Sequence, residues 1–171
     1  MILSDSLLHT LCAHAQLVHP YKPENVGPCS IDLTLDGAIR PEGELSPPFL
    51  AEESMYEPGF YRLRPGERIL ASTAEVIRMP RDRVGFLMLR STAARMGLEH
   101  SFSGLVDPLF EGQLTLELKN DLSTHSIILT PGMRLVQLYV ERVEGTVEKG
   151  YDKTGHYQGQ AGPTKSNRLL K

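Results

Sequence analysis

The feature that most constrains the fold is a series of short apolar runs with strand-like alternation, spaced through most of the chain. Turns rich in glycine, proline and aspartate separate them, for example Arg64-Pro65-Gly66-Glu67 and Thr130-Pro131-Gly132. Many short strands at such spacing are typical of a β-sandwich or barrel and argue against alternating strands and helices. The runs lie at residues 29–35, 60–63, 68–77, 84–89, 113–118, 126–129 and 135–140.

Two segments carry helical signals. Ser4 is placed to cap a helix that runs to about Leu17, and residues 92–96 predict one further turn that ends at Gly97. The apolar residues that share one face of the first helix are Leu7, Leu8, Leu11, Cys12 and Ala15. Residues 37–59 are rich in Pro, Glu and Gly and predict a long surface excursion, either functional or a tolerated insertion.

Length and composition predict one intracellular globular domain. The chain has 171 residues, 40% of them hydrophobic and 23% charged, which suits a single domain over 1–171. A net charge of −3 argues against a nucleic-acid binder, and no apolar run approaches the roughly 20 residues of a membrane span. Two cysteines without zinc-site spacing and no signal peptide predict a reducing, cytoplasmic location. The histidines His9, His14 and His19 also lack the spacing of a metal site.

A polar block follows the run 84–89 and opens the predicted short helix. It contains Arg90, Ser91, Thr92 and Arg95. Helix-start N–H groups, two hydroxyls and arginine side chains together can hold the oxygens of a polyphosphate. A capping Ser or Thr followed by a surface arginine explains the same pattern. The residues alone leave both interpretations open.

Two acids stand out further along. Asp107 precedes a proline, which is typical of a turn. From the local sequence, a turn residue and a ligand-binding residue are equally good interpretations of Asp107. Glu117 lies inside the apolar run 114–118, on the strand face of Thr115 and Lys119. That face is either solvent-exposed, with Lys119 shielding Glu117, or it lines a pocket that raises the carboxyl pKa and suits proton transfer.

Several motifs point to a known family by their order and spacing. They are SIDL at 30–33, RSTAAR at 90–95, GLVDP at 104–108, FEG at 110–112, LTLELKN at 114–120, PGMRLVQL at 131–138 and YQGQAGPTKS at 157–166. Together they resemble the dCTP deaminase branch of the trimeric dUTPase superfamily over nearly the whole length. The resemblance implies a mostly β subunit, a distorted β-barrel or jelly roll of the dUTPase-like type, with an N-terminal helix and one short helix.

The resemblance also implies an assembly and ligands. It implies a homotrimer with three active sites between subunits, and Mg²⁺ bound together with the nucleotide triphosphate. The substrates would be dCTP or dUTP, and dTTP would be a feedback inhibitor. The polar, Gly-rich tail 151–171 would be a C-terminal lid that closes over the nucleotide and excludes water.

The resemblance assigns roles to individual residues. Ser91, Thr92 and Arg95 would face the triphosphate and the reacting water. Asp107 would accept a hydrogen bond from the sugar 3′-hydroxyl, and Glu117 would be the general base and acid. The catalytic set is then Glu117, Ser91 and Arg95. The nucleotide-binding set is Arg90, Ser91, Thr92, Arg95, Ser103, Asp107, Thr115, Gln137, Tyr151, His156, Tyr157 and Gln160.

The residue inventory bears on the chemistry. Zinc-dependent cytidine deaminases hold their metal with a His/Cys/Cys or three-cysteine set. The cysteines here, Cys12 and Cys29, form no C-x-x-C motif, so deamination is expected to proceed without zinc. Glu117 would take a proton from water and pass one to the leaving ammonia, helped by Ser91 and Arg95. Mg²⁺, bound through the triphosphate and not directly by the protein, would neutralise phosphate charge.

Four positions depart from the family pattern. His156 stands where a lysine is usual, and because histidine is only partly charged near neutral pH, triphosphate binding is expected to weaken as pH rises. Thr92 replaces a common serine and keeps the hydroxyl. Ser103 stands where alanine is usual and Leu109 where glycine is usual. Both lie near the expected base pocket and bear on base selectivity.

Three functions are compared. The first is deamination of dCTP to dUTP and ammonia, which continues to dUMP and diphosphate in bifunctional members. Residues 100–105 lack the extra residue and the His-Arg pair of some monofunctional members, which favours the bifunctional type. The second is a dUTP diphosphatase without deaminase activity, which would have no use for Glu117 under the base. The third is a non-enzymatic nucleotide-binding regulator, which the retention of Ser91, Arg95 and Glu117 argues against.

Overall fold

The computed structural model describes residues 1–41, 56–57, 59–100 and 104–166, and this part of the chain is mostly β. The longer strands are β2 (Ile31–Pro41), β5 (Arg68–Arg78), β6 (Arg83–Leu89), β9 (Glu111–Asn120) and β11 (Arg134–Arg142). The shorter ones are β1 (Val18–His19), β3 (Tyr56–Glu57), β4 (Phe60–Leu63), β7 (Leu98–Glu99), β8 (Leu105–Val106) and β10 (Ile127–Leu129). The α-helices are α1 (Asp5–Ala15), α2 (Ser91–Arg95) and α3 (Tyr151–Thr154).

Most strands form one curled antiparallel sheet. Its order is β7-β9-β5-β2-β11-β6-β8, and β1 pairs with β5 beside this path. A second, three-stranded sheet has the order β10-β4-β3. The predicted mostly β, barrel-like fold is confirmed.

The core lies on one face of the sheet because the strands alternate between buried apolar residues and more exposed polar ones. On β9, Leu114, Leu116 and Leu118 are buried, whereas Thr115 and Glu117 are half-buried on the opposite face. Strand residues two apart share a face, so burial of the leucines turns the intervening polar residues away from the core. This alternation decides which side chains of β9 are available to a site.

The first helix is shorter than the sequence predicted. It ends at Ala15, because Gln16 adopts a left-handed conformation (φ 53°) and donates its backbone N–H to the Leu11 carbonyl. The chain then leaves the helix, and Val18 pairs with Ile77 in the sheet. The expected end near Leu17 was therefore wrong.

The apolar face predicted for α1 is also narrower than expected. Leu8 and Cys12 are buried and Leu11 packs against the core, but Leu7 is 51% exposed and Ala15 is exposed as well. Ser4 does occupy the N-cap position, although its side chain makes no capping hydrogen bond within the described residues. The helix therefore covers the core along a single narrow line.

The predicted surface excursion over 37–59 was drawn too wide. β2 continues to Pro41, where Arg40 pairs with Leu70, after a register shift that begins at Leu35. At the other end, Tyr56 pairs with Tyr61 in the small sheet. The remainder, 42–55 and 58, lies outside the described residues. The sequence also missed α3 and the two-residue strands, which are too short to show a periodicity.

Candidate active site

A cavity of about 490 Å³ is lined by residues of β9 and β5 and by the segments that pack beside them. Thr115 and Glu117 face it from β9, and Leu70, which pairs directly with Glu117, faces it from β5. The predicted site residues that line it are Asp107, Thr115, Glu117, Tyr151, Tyr157 and Gln160. Six of the thirteen predicted site residues, far apart in the sequence, therefore meet at one cavity.

Glu117 is in an unusual position for a carboxyl group. Its side chain is 27% exposed, but its Oε2 atom is buried and has no hydrogen-bond partner among the described residues. Burial raises the pKa of Glu117, against an opposing backbone hydrogen bond. Lys119, which was one candidate to shield it, pairs instead with Asp121 at 2.8 Å. The solvent-face interpretation is therefore wrong, and Glu117 belongs to a pocket.

The buried neighbour of Glu117 is His100. The distance from His100 Nε2 to Glu117 Oε2 is 3.8 Å, too long for a hydrogen bond, and the His100 side chain is 1% exposed. Burial lowers the pKa of His100, so the imidazole is favoured neutral and the two groups do not form an ion pair. The His100 Nε2 atom also has no partner in the described part of the chain. Two adjacent titratable groups with pKa values shifted by burial are typical of an acid–base site.

Sequence patterns assign no role to His100. It is the first residue of the segment 100–105, and a single histidine after a two-residue strand carries no spacing signal. Its importance is visible only through its contact with Glu117, which lies 17 positions along the chain.

The turn at Asp107 combines the two roles that the sequence left open. The backbone N–H of Phe110 donates to the Asp107 carbonyl at 3.2 Å, which closes a turn, and the Asp107 side chain lines the cavity. Within this turn Leu109 has a φ of +67°. Left-handed backbone costs a residue with a side chain about 1–2 kcal/mol, which explains why glycine is the expected residue here.

The C-terminal segment, residues 150–166, packs against this turn and the start of β9. The Tyr151 N–H donates to the Pro108 carbonyl at 2.9 Å, and the Tyr151 ring meets Phe110 edge-on with centroids 5.4 Å apart. The Tyr157 N–H donates to the Tyr151 hydroxyl at 3.3 Å. Tyr151, Tyr157 and Gln160 therefore reach the cavity that holds Glu117 of the same chain.

The polar block at 90–95 does not line this cavity. Arg90, and not a serine or threonine, occupies the N-cap position of α2, where no side-chain capping bond forms among the described residues. The capping interpretation is therefore wrong. Ser91, Thr92 and Arg95 are exposed. The Arg90 Nε atom lies 3.1 Å from Asp32, which also meets Arg134 at 3.4 Å.

The remaining predicted residues lie elsewhere. Gln137 is on the outer face of β11, opposite Met88, and lines no part of the cavity. His156 is an exposed residue of the C-terminal segment. Ser103 lies outside the described residues.

The described residues contain no group of three or more His, Cys, Asp or Glu side chains placed to hold a metal ion. Cys12 is buried, and burial raises the pKa of its thiol to about 11, whereas Cys29 is exposed. Within the same residues, no helix has the length and apolar character needed to cross a membrane.

Comparison with known proteins identifies the family. The model of the dCTP deaminase-like family matches residues 2–143. A dUMP-forming dCTP deaminase of Thermobifida fusca is 38% identical over 186 aligned residues, which cover 99% of this chain and 94% of the relative. A protein of the same name from Streptomyces avermitilis is 40% identical over 187, which cover 99% and 96%.

A solved structure supports the fold. The 2′-deoxycytidine 5′-triphosphate deaminase of Agrobacterium tumefaciens superposes with a TM-score of 0.66 over 84% of this chain, at 20% identity. This chain spans 49% of that longer one. At such identity the likeness shows the fold alone. The family model and the relatives aligned over nearly the whole chain show the family as well. The chain belongs to the dCTP deaminase-like family.

Proposed function

We propose that this chain deaminates dCTP and carries the product on to dUMP. One water replaces the amino group at cytosine C4 and releases ammonia, and a second cleaves the triphosphate and releases diphosphate. The observation that carries the proposal is Glu117, a carboxyl group with a burial-raised pKa in a cavity of about 490 Å³. Two relatives that are 38% and 40% identical over nearly the whole chain are named dUMP-forming dCTP deaminases, which supports dUMP as the final product.

Glu117 suits both proton transfers of the deamination. A carboxyl group with a raised pKa holds a proton closer to neutral pH than an exposed one, so it can act as base and then as acid. In the ionised form it takes a proton from the water that attacks C4, and in the protonated form it donates to the departing amine. Because burial keeps His100 neutral, the imidazole beside Glu117 does not fix the carboxyl group in its charged form.

The other cavity residues suit binding of the nucleotide. Asp107 would accept a hydrogen bond from the 3′-hydroxyl, and Thr115 lies two residues from Glu117 on the same face. Tyr151, Tyr157 and Gln160 would form a lid from the C-terminal segment, which excludes water during the reaction and opens for release. With that lid packed on the β-fold, residues 1–171 would form one domain.

The outer face of β6 and β11 supports a homotrimer. Phe86 stacks on Tyr139 with centroids 5.4 Å apart, and Met88 and Leu105 beside them are 53% and 54% exposed. A contiguous apolar patch of this kind is typical of an interface.

A homotrimer would also complete the active site. In the proposed assembly the exposed residues Ser91, Thr92 and Arg95 of one subunit meet the triphosphate bound over Glu117 of its neighbour. This arrangement explains why Ser91, Thr92 and Arg95, the predicted phosphate contacts, lie outside the cavity of their own chain. Gln137 and Arg90, on or near the same outer face, would then come close to the nucleotide through the interface.

Magnesium would enter with the nucleotide. Mg²⁺ favours phosphate oxygens and water and takes few protein carboxylates, which fits a chain whose described residues offer no ligand cluster of their own. Bound in this way it would neutralise phosphate charge. The same cavity would admit dTTP as a competing inhibitor, because dTTP shares the sugar and the triphosphate. The enzyme would work in the cytoplasm, where its cysteines stay reduced.

Product analysis tests the proposal. The purified protein is incubated with Mg²⁺ and either dCTP or dUTP, and ammonia, dUTP, dUMP and diphosphate are measured. Ammonia, dUMP and diphosphate in equal amounts from dCTP are expected. Ammonia with dUTP and no diphosphate would restrict the activity to deamination. Diphosphate from dUTP with no ammonia from dCTP would replace the proposal by a dUTP diphosphatase, and no product from either would favour a binding protein.

A further inference from the structure

Gln113 joins the C-terminal segment to the sheet through both ends of its side-chain amide. Its Nε2 donates to the Thr73 carbonyl of β5 at 2.8 Å, and its Oε1 accepts from the backbone N–H of Gly162 at 2.6 Å. One half-buried side chain therefore bridges two segments that are otherwise far apart in the sequence. We refer to this pair of hydrogen bonds as the Gln113 bridge.

Two further hydrogen bonds between Gln113 and Gln160 hold the same segment in register beside the bridge. The Gln113 N–H donates to the Gln160 carbonyl at 3.0 Å, and the Gln113 carbonyl accepts from Gln160 Nε2 at 2.7 Å. Gly112 has a φ of +148°, and a Cβ atom there would lie 3.0 Å from the backbone N and O of Gln160. The close approach of the segment to β9 therefore depends on a glycine at this position.

The sheet end of the bridge is a fixed point. Thr73 is fully buried in a bulge of β5, where the pairing with β9 shifts between Ser72 and Val76. Its Oγ1 donates to the Glu75 carbonyl at 2.8 Å and accepts from the Leu114 N–H at 3.0 Å. A buried residue held at several points moves little, so opening of the bridge would displace the C-terminal segment and not Thr73.

Gln113 does not itself line the cavity, but the groups on either side of the bridge do. Thr115 and Glu117 follow it on the same strand face, and Gln160 and Thr164 reach the cavity from the C-terminal segment. The Thr164 N–H continues the docking with a bond to Thr115 Oγ1 at 3.2 Å. The position of the segment over the cavity is therefore set at Gln113.

We propose that Gln113 is a positioning residue that holds residues 157–166 over the Glu117 cavity, so that dCTP binding depends on it. The inference rests on the proposed function and adds a residue that contacts neither the reacting atoms nor the base. In a variant that lacks the bridge, the segment is open in part of the free protein and must close when nucleotide binds. The free energy needed to close it is subtracted from the binding free energy, so the variant binds dCTP more weakly. The chemical step at Glu117, taken once the segment is closed, is unaffected.

Two variants test the bridge. Gln113→Leu removes both hydrogen bonds, and Gln113→Glu keeps the acceptor for Gly162 but turns a carboxylate oxygen toward the Thr73 carbonyl. The control is Tyr21→Phe, which removes a part-buried hydrogen bond between His9 and Tyr21 at the N-terminal helix. Melting temperatures establish that each variant is folded, and deuterium exchange is followed at the Gly162 amide.

The expected results separate positioning from stability. In Gln113→Leu the Gly162 amide exchanges roughly 3- to 10-fold faster, as expected for loss of about one hydrogen bond. The KM for dCTP rises by a similar factor, while kcat changes less than about 2-fold. In Gln113→Glu the carboxylate repels the Thr73 carbonyl, so exchange at Gly162 and the KM for dCTP also rise. Tyr21→Phe leaves both readouts unchanged.

Several outcomes would overturn the inference. They are wild-type exchange at Gly162 with an unchanged KM in a folded Gln113→Leu, a fall in kcat alone, or the same changes in Tyr21→Phe. If Gln113→Leu does not fold, Gln113→Glu decides by the same two readouts. Failure of the proposed function is separate, because it appears as absent ammonia release by the wild type, and the exchange measurement then judges the bridge without catalysis.

Discussion

Replacement of Glu117 by glutamine is expected to stabilise the fold. Glu117 Oε2 is buried without a hydrogen-bond partner among the described residues, and it faces the equally unpartnered His100 Nε2 at 3.8 Å. Glutamine has the same shape and no charge, and its amide N–H can donate to the imidazole nitrogen. The substitution therefore removes the cost of burying a carboxylate and gives His100 a partner.

The size of the gain follows from those two atoms. A buried polar group without a partner costs about 1–3 kcal/mol. A hydrogen bond between the new amide at position 117 and His100 Nε2 would recover part of that cost for both groups. Because 27% of the Glu117 side chain is exposed, water already offsets some of it. We expect the free energy of unfolding at pH 8 to rise by about 1–2 kcal/mol, or about 2–4 °C in Tm for each kcal/mol.

The gain should depend on pH with a definite sign. Burial raises the pKa of Glu117 above its ordinary value of 4.5, so between these two values the native state binds more protons than the unfolded chain. Wild-type stability from this group is complete below pH 4.5 and is lost as pH rises through the native pKa. Glutamine does not titrate, so its advantage is largest at pH 8 and shrinks toward acid pH. The lowered pKa of His100 acts in the opposite direction, but both proteins carry that histidine.

Thermal unfolding at equal protein concentrations between pH 5 and pH 8 measures the effect. Glu111→Gln is the matched control, because Glu111 lies on the same strand, is exposed and pairs with Arg78 at 2.9 Å. A surface pair of this kind contributes about 0–1 kcal/mol, so the control should lose slightly or not change. The reasoning is refuted if Glu117→Gln is no more stable than the wild type at pH 8, or if its gain is the same at every pH.

Two further predictions concern the turn and the assembly. At position 109, glycine is expected to be more stable than alanine by about 1 kcal/mol, the reverse of the usual order, because only alanine keeps the left-handed strain of Leu109 (φ +67°). Denaturant unfolding of Leu109→Gly and Leu109→Ala measures the difference, and greater stability of alanine would contradict the strain. Inactive Glu117→Gln and Arg95→Ala chains, refolded together in equal amounts, are expected to regain activity at about a quarter of the sites if each site joins two subunits. No activity above that of the separate variants would mean that both residues act within one chain.

The sequence predicted the longer strands because they carry their own signal. Alternation between buried leucines and polar residues marks β9, and turn residues mark its ends, so the position of Glu117 on the non-core face could be derived directly. An acid on such a strand was notable without any further information. Local pattern could not decide whether solvent or a pocket faces it, since that depends on segments far away in the chain.

The parts that the sequence missed depend on long-range contacts. His100 approaches Glu117 from just beyond the end of β7, and Gly162 reaches Gln113 across 49 positions. Neither contact produces a periodic pattern of residues in the sequence. Similarly, the end of α1 was misplaced because Gln16 adopts a left-handed conformation, and Leu109 does the same in the cavity turn. Residues other than glycine rarely adopt this conformation, so a sequence pattern does not anticipate it.

The central claim is that Glu117 carries the proton transfers of deamination. The most direct measurement compares ammonia release from dCTP by the wild type and by Glu117→Gln, with dCTP binding to each measured by calorimetry. Loss of a general acid–base group predicts a fall of about 10²–10⁴-fold in the rate of ammonia release, with the dissociation constant changed less than about 3-fold. Ammonia release by a correctly folded Glu117→Gln at the wild-type rate would contradict the claim.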